Sequence, residues 1–178
     1  MSGMNNLKDS RKKAQDQLKL TAQAGIIAAM YVALTFVFAP ISFGAVQVRI
    51  AEALTILPIF TPAAVPGLFI GCLLGNIMGG GVIWDVIFGS IATLLGAIGT
   101  YILRKRNPIF GTIPPILANT LIVPFVLKYA YGVDDMAFPL IFLSILGGEI
   151  LSCGVLGGML GFSLRKAKGI FPQEKKSK

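Results

Sequence analysis

Apolar residues dominate this chain in long runs, broken by prolines, glycine clusters and short groups of charge. No charged residue stands between Lys19 and Arg49, and none between Glu52 and Asp85. Such runs are long enough for membrane helices, which need about 20 consecutive apolar residues. The pattern predicts six of them. The first runs from about Leu20 to Ala39 and stops at Pro40, and a loop with Gly44 in its turn follows over 41–46. The second covers Gln47 to Phe60, short for a full span. Thr61 and Pro62 then supply an N-cap and a first-turn proline for the third, which reaches Met78. Gly79, Gly80 and Gly81 break the chain before the fourth, from about Trp84 to Leu103. Thr112, Pro114 and Pro115 open the fifth, which carries Pro124 as a kink and ends near Tyr131. The sixth spans Phe138 to Leu164.

Composition agrees. Of 178 residues 54% are hydrophobic and 13% charged, whereas a soluble domain carries about 25% charged residues. The mean hydropathy is +0.76. One compact membrane domain over 20–165 is expected, between a basic segment at 1–19 and a basic tail at 166–178. The first apolar run reads as a retained helix rather than a cleaved leader.

The net charge is +8, and its placement sets an orientation. Basic residues precede the first helix, follow the fourth (Arg104, Lys105, Arg106) and close the chain, while the loop after the fifth holds Asp134 and Asp135. Cations concentrate on the cytoplasmic side of membrane proteins. The expected fold is therefore an all-α, six-transmembrane-helix bundle with cytoplasmic N- and C-termini, in the cell membrane. Basic clusters beside apolar spans point to the lipid bilayer, not to nucleic acid.

The ionisable residues inside the apolar runs are the candidate chemistry, because a charge in lipid is costly unless it faces a protein interior or a wet cavity. Arg49 and Glu52 stand three apart, on one face of a helix. Asp85 and Trp84 open the fourth helix, Asn76 lies near the end of the third, Asn119 is in the fifth and Glu149 is deep in the sixth. Under the six-span topology these gather toward the outer half of the membrane. Each has a structural reading as well. Arg49 and Glu52 can simply neutralise one another, Asp85 can cap a helix, and Trp84 can anchor an interfacial belt. Asn119 can bond a neighbouring helix, and Lys128 can snorkel outward. Glu149, with no cation within a turn of it, is the hardest to explain structurally.

Small residues recur four apart at Gly67, Gly71 and Gly75, at Gly154 and Gly158, and at Gly157 and Gly161, which reads as close helix packing. Gly25, Ala29 and Ala33 form a similar stripe that faces either the bundle or a separate membrane partner. Cys72 and Cys153 read as packing residues. There is no histidine, no metal-ligand cluster, no phosphate-binding loop and no nucleophile motif. No cofactor or metal is expected, and the chain is read as a non-enzyme without its own ATPase motif. A substrate-binding unit that works with other subunits fits best.

Four segments carry a family resemblance: Ala-Pro-Ile-Ser-Phe-Gly (39–44), Gln-Val-Arg-Ile-Ala-Glu-Ala-Leu-Thr-Ile-Leu-Pro (47–58), Phe-Thr-Pro-Ala-Ala-Val-Pro-Gly-Leu-Phe-Ile-Gly-Cys (60–72) and Trp-Asp-Val-Ile-Phe-Gly-Ser (84–90). They resemble the QueT family, membrane S-components of energy-coupling factor (ECF) transporters assigned to queuosine precursors. The likeness covers about 20–165, continuing through Ala-Asn-Thr-Leu-Ile-Val (118–123) and Gly-Glu-Ile-Leu-Ser-Cys (148–153). It implies a transmembrane coupling protein and two ATPase subunits as partners, with Gly25, Ala29 and Ala33 against the coupling protein. It also implies a 7-deazaguanine base as substrate. On that footing Glu149 or Asp85 takes the guanine-like edge, and Glu52 lies near the substituent or is held by Arg49. Asn76 or Asn119 serves the remaining edges, and Trp84 or Phe43 stacks. An aminomethyl substituent adds a cation that favours a second carboxylate; a nitrile does not. The alternatives are an S-component for another nucleobase-like or vitamin heterocycle, and a small membrane helper protein that transports nothing.

Overall fold

The computed structural model describes residues 2–42, 48–132 and 137–166, and every regular element among them is helical. Phe43, Gly44, Asp134, Asp135 and the basic tail from 167 lie outside the described residues. Four helical stretches are long and apolar enough to cross a membrane: Asn6–Val37, Ile83–Lys105, Pro108–Tyr129 and Phe138–Lys166. Two shorter apolar helices, Ile50–Ile59 and Ala64–Met78, lie between the first and second of these. The six expected apolar segments are thus all helical, but two are shorter than a span.

Helix α1 runs unbroken from Ser2 to Val37. The basic segment before Leu20 is therefore helical and continuous with the first apolar run. No glycine or proline interrupts it between Met4 and Ala24, and its Lys, Arg, Gln, Leu and Ala are good helix formers. Pro40 ends it early, since proline has no N–H to give the Phe36 carbonyl and its ring crowds that group. The chain turns at Phe38 into a short helix α2, Ala39–Ser42.

The second expected helix is a 3-10 helix, Ile50–Ile59, buried at every residue from Ala51 to Pro58. Ten residues is long for this form, which usually stops after three or four. Its i→i+3 bonding begins with the Glu52 amide donating to the Arg49 carbonyl at 2.9 Å. The Glu52 carbonyl also accepts from Thr55 Oγ1 at 2.6 Å and from Cys153 Sγ at 3.4 Å. Side-chain donors therefore support the tighter winding.

Around this element pack α3 (Ala64–Met78), α4 (Ile83–Ile102), the short α5 (Pro108–Gly111), α6 (Ile113–Tyr131) and a last composite helix. That last helix is α7 (Phe138–Glu149), a π-helical stretch (Ile150–Gly157) and α8 (Gly158–Lys166), where a uniform helix was expected. Glycine sets the helix approaches. A Cβ on Gly67 would lie 2.7 Å from the Ala24 carbonyl oxygen, and one on Gly71 would lie 2.7 Å from Tyr31 Cβ. On α4, a Cβ on Gly96 would lie 2.6 Å from Pro115 Cα. In the last helix Gly157 and Gly161 face Ala53 and Ile56 closely, whereas Gly158 meets nothing.

Helix α4 turns its large aliphatic side chains outward and its hydroxyls inward. Ile83, Ile87, Ile91, Leu95 and Ile98 project outward from α4, while Ser90, Thr93 and Thr100 on the same helix are buried. A surface of large aliphatic side chains around polar interior groups suits lipid, where every polar group must be satisfied internally.

Candidate functional site

The four buried charged residues among those described, Arg49, Glu52, Asp85 and Glu149, come from three segments and converge in the interior. Arg49 sits just before the 3-10 helix and Glu52 in its first turn. Asp85 lies in the first turn of α4, and Glu149 ends α7 where the backbone passes into the π stretch. Such π segments are frequent at functional sites.

The expected Arg49–Glu52 pairing is replaced by another. Arg49 Nη2 lies 3.5 Å from Asp85 Oδ1 and 3.4 Å from Oδ2, an ion pair 36 residues apart in sequence. Because the helix begins only at Ile50, Arg49 is not held on the Glu52 face and reaches across to α4. Asp85 is accordingly buried against a cation in the first turn of α4, where Val82 occupies the N-cap position. Arg49 Nη1 is buried without a hydrogen-bond partner. Asn76 joins this group over a glycine. A Cβ on Gly89 would stand 3.3 Å from Asn76 Nδ2, 3.4 Å from Asp85 Oδ1 and 3.6 Å from Arg49 Nη1.

Glu52 belongs to a second group. Its Oε1 accepts from the Tyr31 hydroxyl of α1 and from Thr93 Oγ1 of α4 at 2.9 Å, while its Oε2 has no partner. Glu149 Oε2 accepts from Cys153 Sγ at 3.2 Å. One donor atom from each of Glu52, Glu149 and Cys153 lies within 4.8 Å of the others, so these three are the described residues able to hold a cation together. Asn119 of α6 lies beside Glu149, fully buried, with neither polar atom of its amide in hydrogen-bond geometry. Chemically the interior offers two halves. One is a guanidinium–carboxylate–amide face, and the other is a carboxylate pair with the Asn119 amide next to it.

Of the residues singled out in the sequence, Arg49, Glu52, Asn76, Asp85, Asn119 and Glu149 are thus buried within these two groups. Trp84 is placed elsewhere, half exposed on the outside of α4 and stacked on Phe88 with ring centroids 6.1 Å apart. Phe43 lies outside the described residues. Gly25, Ala29 and Ala33 are exposed on α1, on the side away from the α3 glycines.

Sequence reasoning missed Tyr31, Thr55, Thr93 and the polar contacts of both cysteines. Cys153 touches Glu149, Thr55 and the Glu52 carbonyl, and Cys72 touches Asn76 at 3.5 Å and Thr93 at 3.3 Å. A signal was present. Each cysteine stands four residues, one helical turn, from a polar residue already singled out: Cys72 from Asn76 and Cys153 from Glu149.

The family model described as QueT transporter matches residues 21–166, most of the chain. Neither a curated protein nor a solved structure matches it.

Proposed function

Because the chain belongs to the QueT transporter family, a family of multi-pass membrane proteins, we propose that it is the substrate-binding S-component of an ECF importer for a queuosine precursor. The guest would be a 7-deazaguanine base, and separate subunits would hydrolyse ATP. The observation that carries this reading is a buried constellation of four charged side chains that leaves Arg49 Nη1 and Glu52 Oε2 unpartnered. A buried polar atom left unsatisfied costs about 1–3 kcal/mol. Two in one interior mark a site whose partner arrives from outside the chain.

The inventory fits the base. A guanine-like edge presents an N–H and an amino group side by side, next to a ring carbonyl. Asp85 keeps acceptor capacity beyond its ion pair, because a carboxylate has about four lone-pair sites. Arg49 Nη1 beside it supplies a donor for the carbonyl, and Asn76 covers the flank. Glu52, Glu149 and Asn119 then receive the substituent end of the molecule, with Phe43 as the stacking candidate. On the outer side of α1, Gly25, Ala29 and Ala33 form the contact with the coupling protein, two ATPase subunits complete the importer, and the cell membrane is its location.

The test is mass spectrometry of small molecules carried through gentle purification of the full-length protein. A 7-deazaguanine base released on denaturation is the expected result. A different heterocycle would change the substrate and keep the architecture. No saturable ligand, with no ATPase subunits co-purifying, would leave a helper protein instead.

A further inference from the structure

A second concentration of charge lies away from the interior, at one end of the bundle. Gly161 of α8 packs against α5, where its Cβ would lie 3.4 Å from Pro108 Cβ. Gly111 of α5 packs against the end of the 3-10 helix, where its Cβ would lie 2.6 Å from Ile59 Cδ1. These approaches bring Arg104, Lys105 and Arg106, just before α5, to the same end as Arg165 and Lys166, one turn beyond Gly161. Their own stretches offer them no counter-charge: the chain has no Asp or Glu between Asp85 and Asp134 or between Glu149 and Glu174. None of them forms an ion pair with a described residue.

Arg104 is already oriented. Its guanidinium lies over the Tyr101 ring, 4.1 Å from the centroid, and Nη1 donates to the Tyr101 carbonyl at 3.4 Å. That holds the plane of the fork and leaves most of its five N–H donors for another partner. A planar guanidinium matches two oxygens of a phosphate. Charge alone would suit any soluble anion, but Ile102, Ile109 and Phe110 are exposed beside these cations, and Phe162 is exposed one turn before Lys166. In a chain that crosses a bilayer, such side chains lie against acyl chains.

We propose that this end of the bundle, where α5 joins α4 to α8, binds an anionic phospholipid. Arg104 takes the phosphate with Arg106 and Arg165, and the acyl chains run along Ile102, Ile109 and Phe162. Charge complementarity selects the class, because a zwitterionic lipid would bring its own ammonium group to a cationic patch. Basic pockets at the membrane edge hold anionic headgroups by this attraction, which fades within a Debye length of about 8 Å. The basic segment of α1 is a separate matter. At 1.5 Å per residue, Lys8, Lys12 and Lys13 stand roughly 10–18 Å along the helix from Leu20, where the apolar run begins. The site is independent of the transported guest.

Native mass spectrometry of the full-length protein in a non-ionic detergent tests it, with equal amounts of phosphatidylglycerol and phosphatidylcholine of identical acyl chains. Phosphatidylglycerol adducts should exceed phosphatidylcholine adducts at least about tenfold. Arg104→Gln, and separately Arg106→Gln with Arg165→Gln, should bring the ratio toward one. Both side chains of the second variant are exposed, so its unfolding temperature in detergent alone should not change. Lys12→Gln with Lys13→Gln removes as much charge and should leave the ratio intact. Equal adducts in the unaltered protein would overturn the proposal, as would an α1 variant that loses the preference as fully, which would make net charge the cause. Excess inorganic phosphate that displaces the lipid would overturn it in favour of a soluble anion.

Discussion

Arg49 and Asp85 form the ion pair of the interior, with Nη2 and Oδ2 at 3.4 Å and both side chains almost wholly buried. The pair ties the start of the 3-10 helix to the start of α4, as the Thr93–Glu52 bond does further along the same two elements. Removing one partner leaves a buried charge uncompensated, which costs about 3–5 kcal/mol, whereas replacing both with apolar groups is often near neutral. Arg49→Met and Asp85→Leu should each lower the thermal unfolding temperature sharply. The double variant should recover much of the loss, a strongly non-additive cycle. Unfolding in detergent followed by near-UV circular dichroism measures it. Additive losses would mean that the two groups do not hold each other.

Packing against α1 makes a second prediction. The Gly71 position leaves no space for a methyl group, since its Cβ would lie 2.7 Å from Tyr31 Cβ and 3.0 Å from the Ala28 carbonyl oxygen. Gly71→Ala should destabilise by about 1–3 kcal/mol through overpacking. Because Tyr31 also bonds Glu52, the same substitution should weaken ligand binding at a distance from the ligand. Gly158→Ala is the control, with nothing within 4 Å of the added methyl. Parallel unfolding and binding curves for the two variants check both statements.

How much of this was legible in the sequence depends on range. Some local signals held, with Met78 ending α3 beside the glycine run and Pro124 inside α6. But α3 starts at Ala64 with Ala63 at its N-cap, and Thr61, expected there, instead accepts from the Ala63 amide at 3.3 Å in the turn before it. Burial of the charged residues was legible too, because lipid leaves them nowhere else to go. Pairing was not. Spacing suggested Arg49 with Glu52, but that inference presumed an α-helix at 47–60, and the 3-10 winding begins one residue after Arg49. That winding is supported by Cys153, 101 residues away from Glu52, a contact no local window contains. The π stretch at 150–157 escaped for a related reason. Its composition is ordinary for an apolar helix, and its widened turn is visible only in how Glu149 and Cys153 meet the 3-10 helix.

Glu52 is oriented by two neutral donors, the Tyr31 hydroxyl and Thr93 Oγ1 at 2.9 Å. Both bonds are to Oε1, which turns Oε2 toward its unpartnered position. Loss of either donor should let the carboxylate swing. Tyr31→Phe and Thr93→Val are each expected to raise the dissociation constant of a 7-deazaguanine ligand by about tenfold, the scale of one hydrogen bond to a charged group. Thr93→Ser keeps the hydroxyl and should bind nearly as the unaltered protein does. Calorimetric titration of the three variants decides it. A Thr93→Ser variant as weak as Thr93→Val would point to packing rather than to the hydrogen bond.

The two sides of α1 should separate folding from assembly. Ala24, Ala28 and Tyr31 are in close contact with the α3 glycines, whereas Gly25 has nothing within 4 Å and Ala29 and Ala33 are exposed. Small residues let helix backbones approach closely in lipid, so an exposed small stripe is useful only to another membrane helix. Ala29→Leu and Ala33→Leu add bulk on a face that is exposed among the described residues. Both variants should therefore keep their unfolding temperature and ligand affinity while losing co-purification of the coupling protein and ATPase subunits, and with them ATP-driven uptake in proteoliposomes. A variant that assembles normally would remove the stripe from the partner contact. One that unfolds early would place a helix of this chain against it instead.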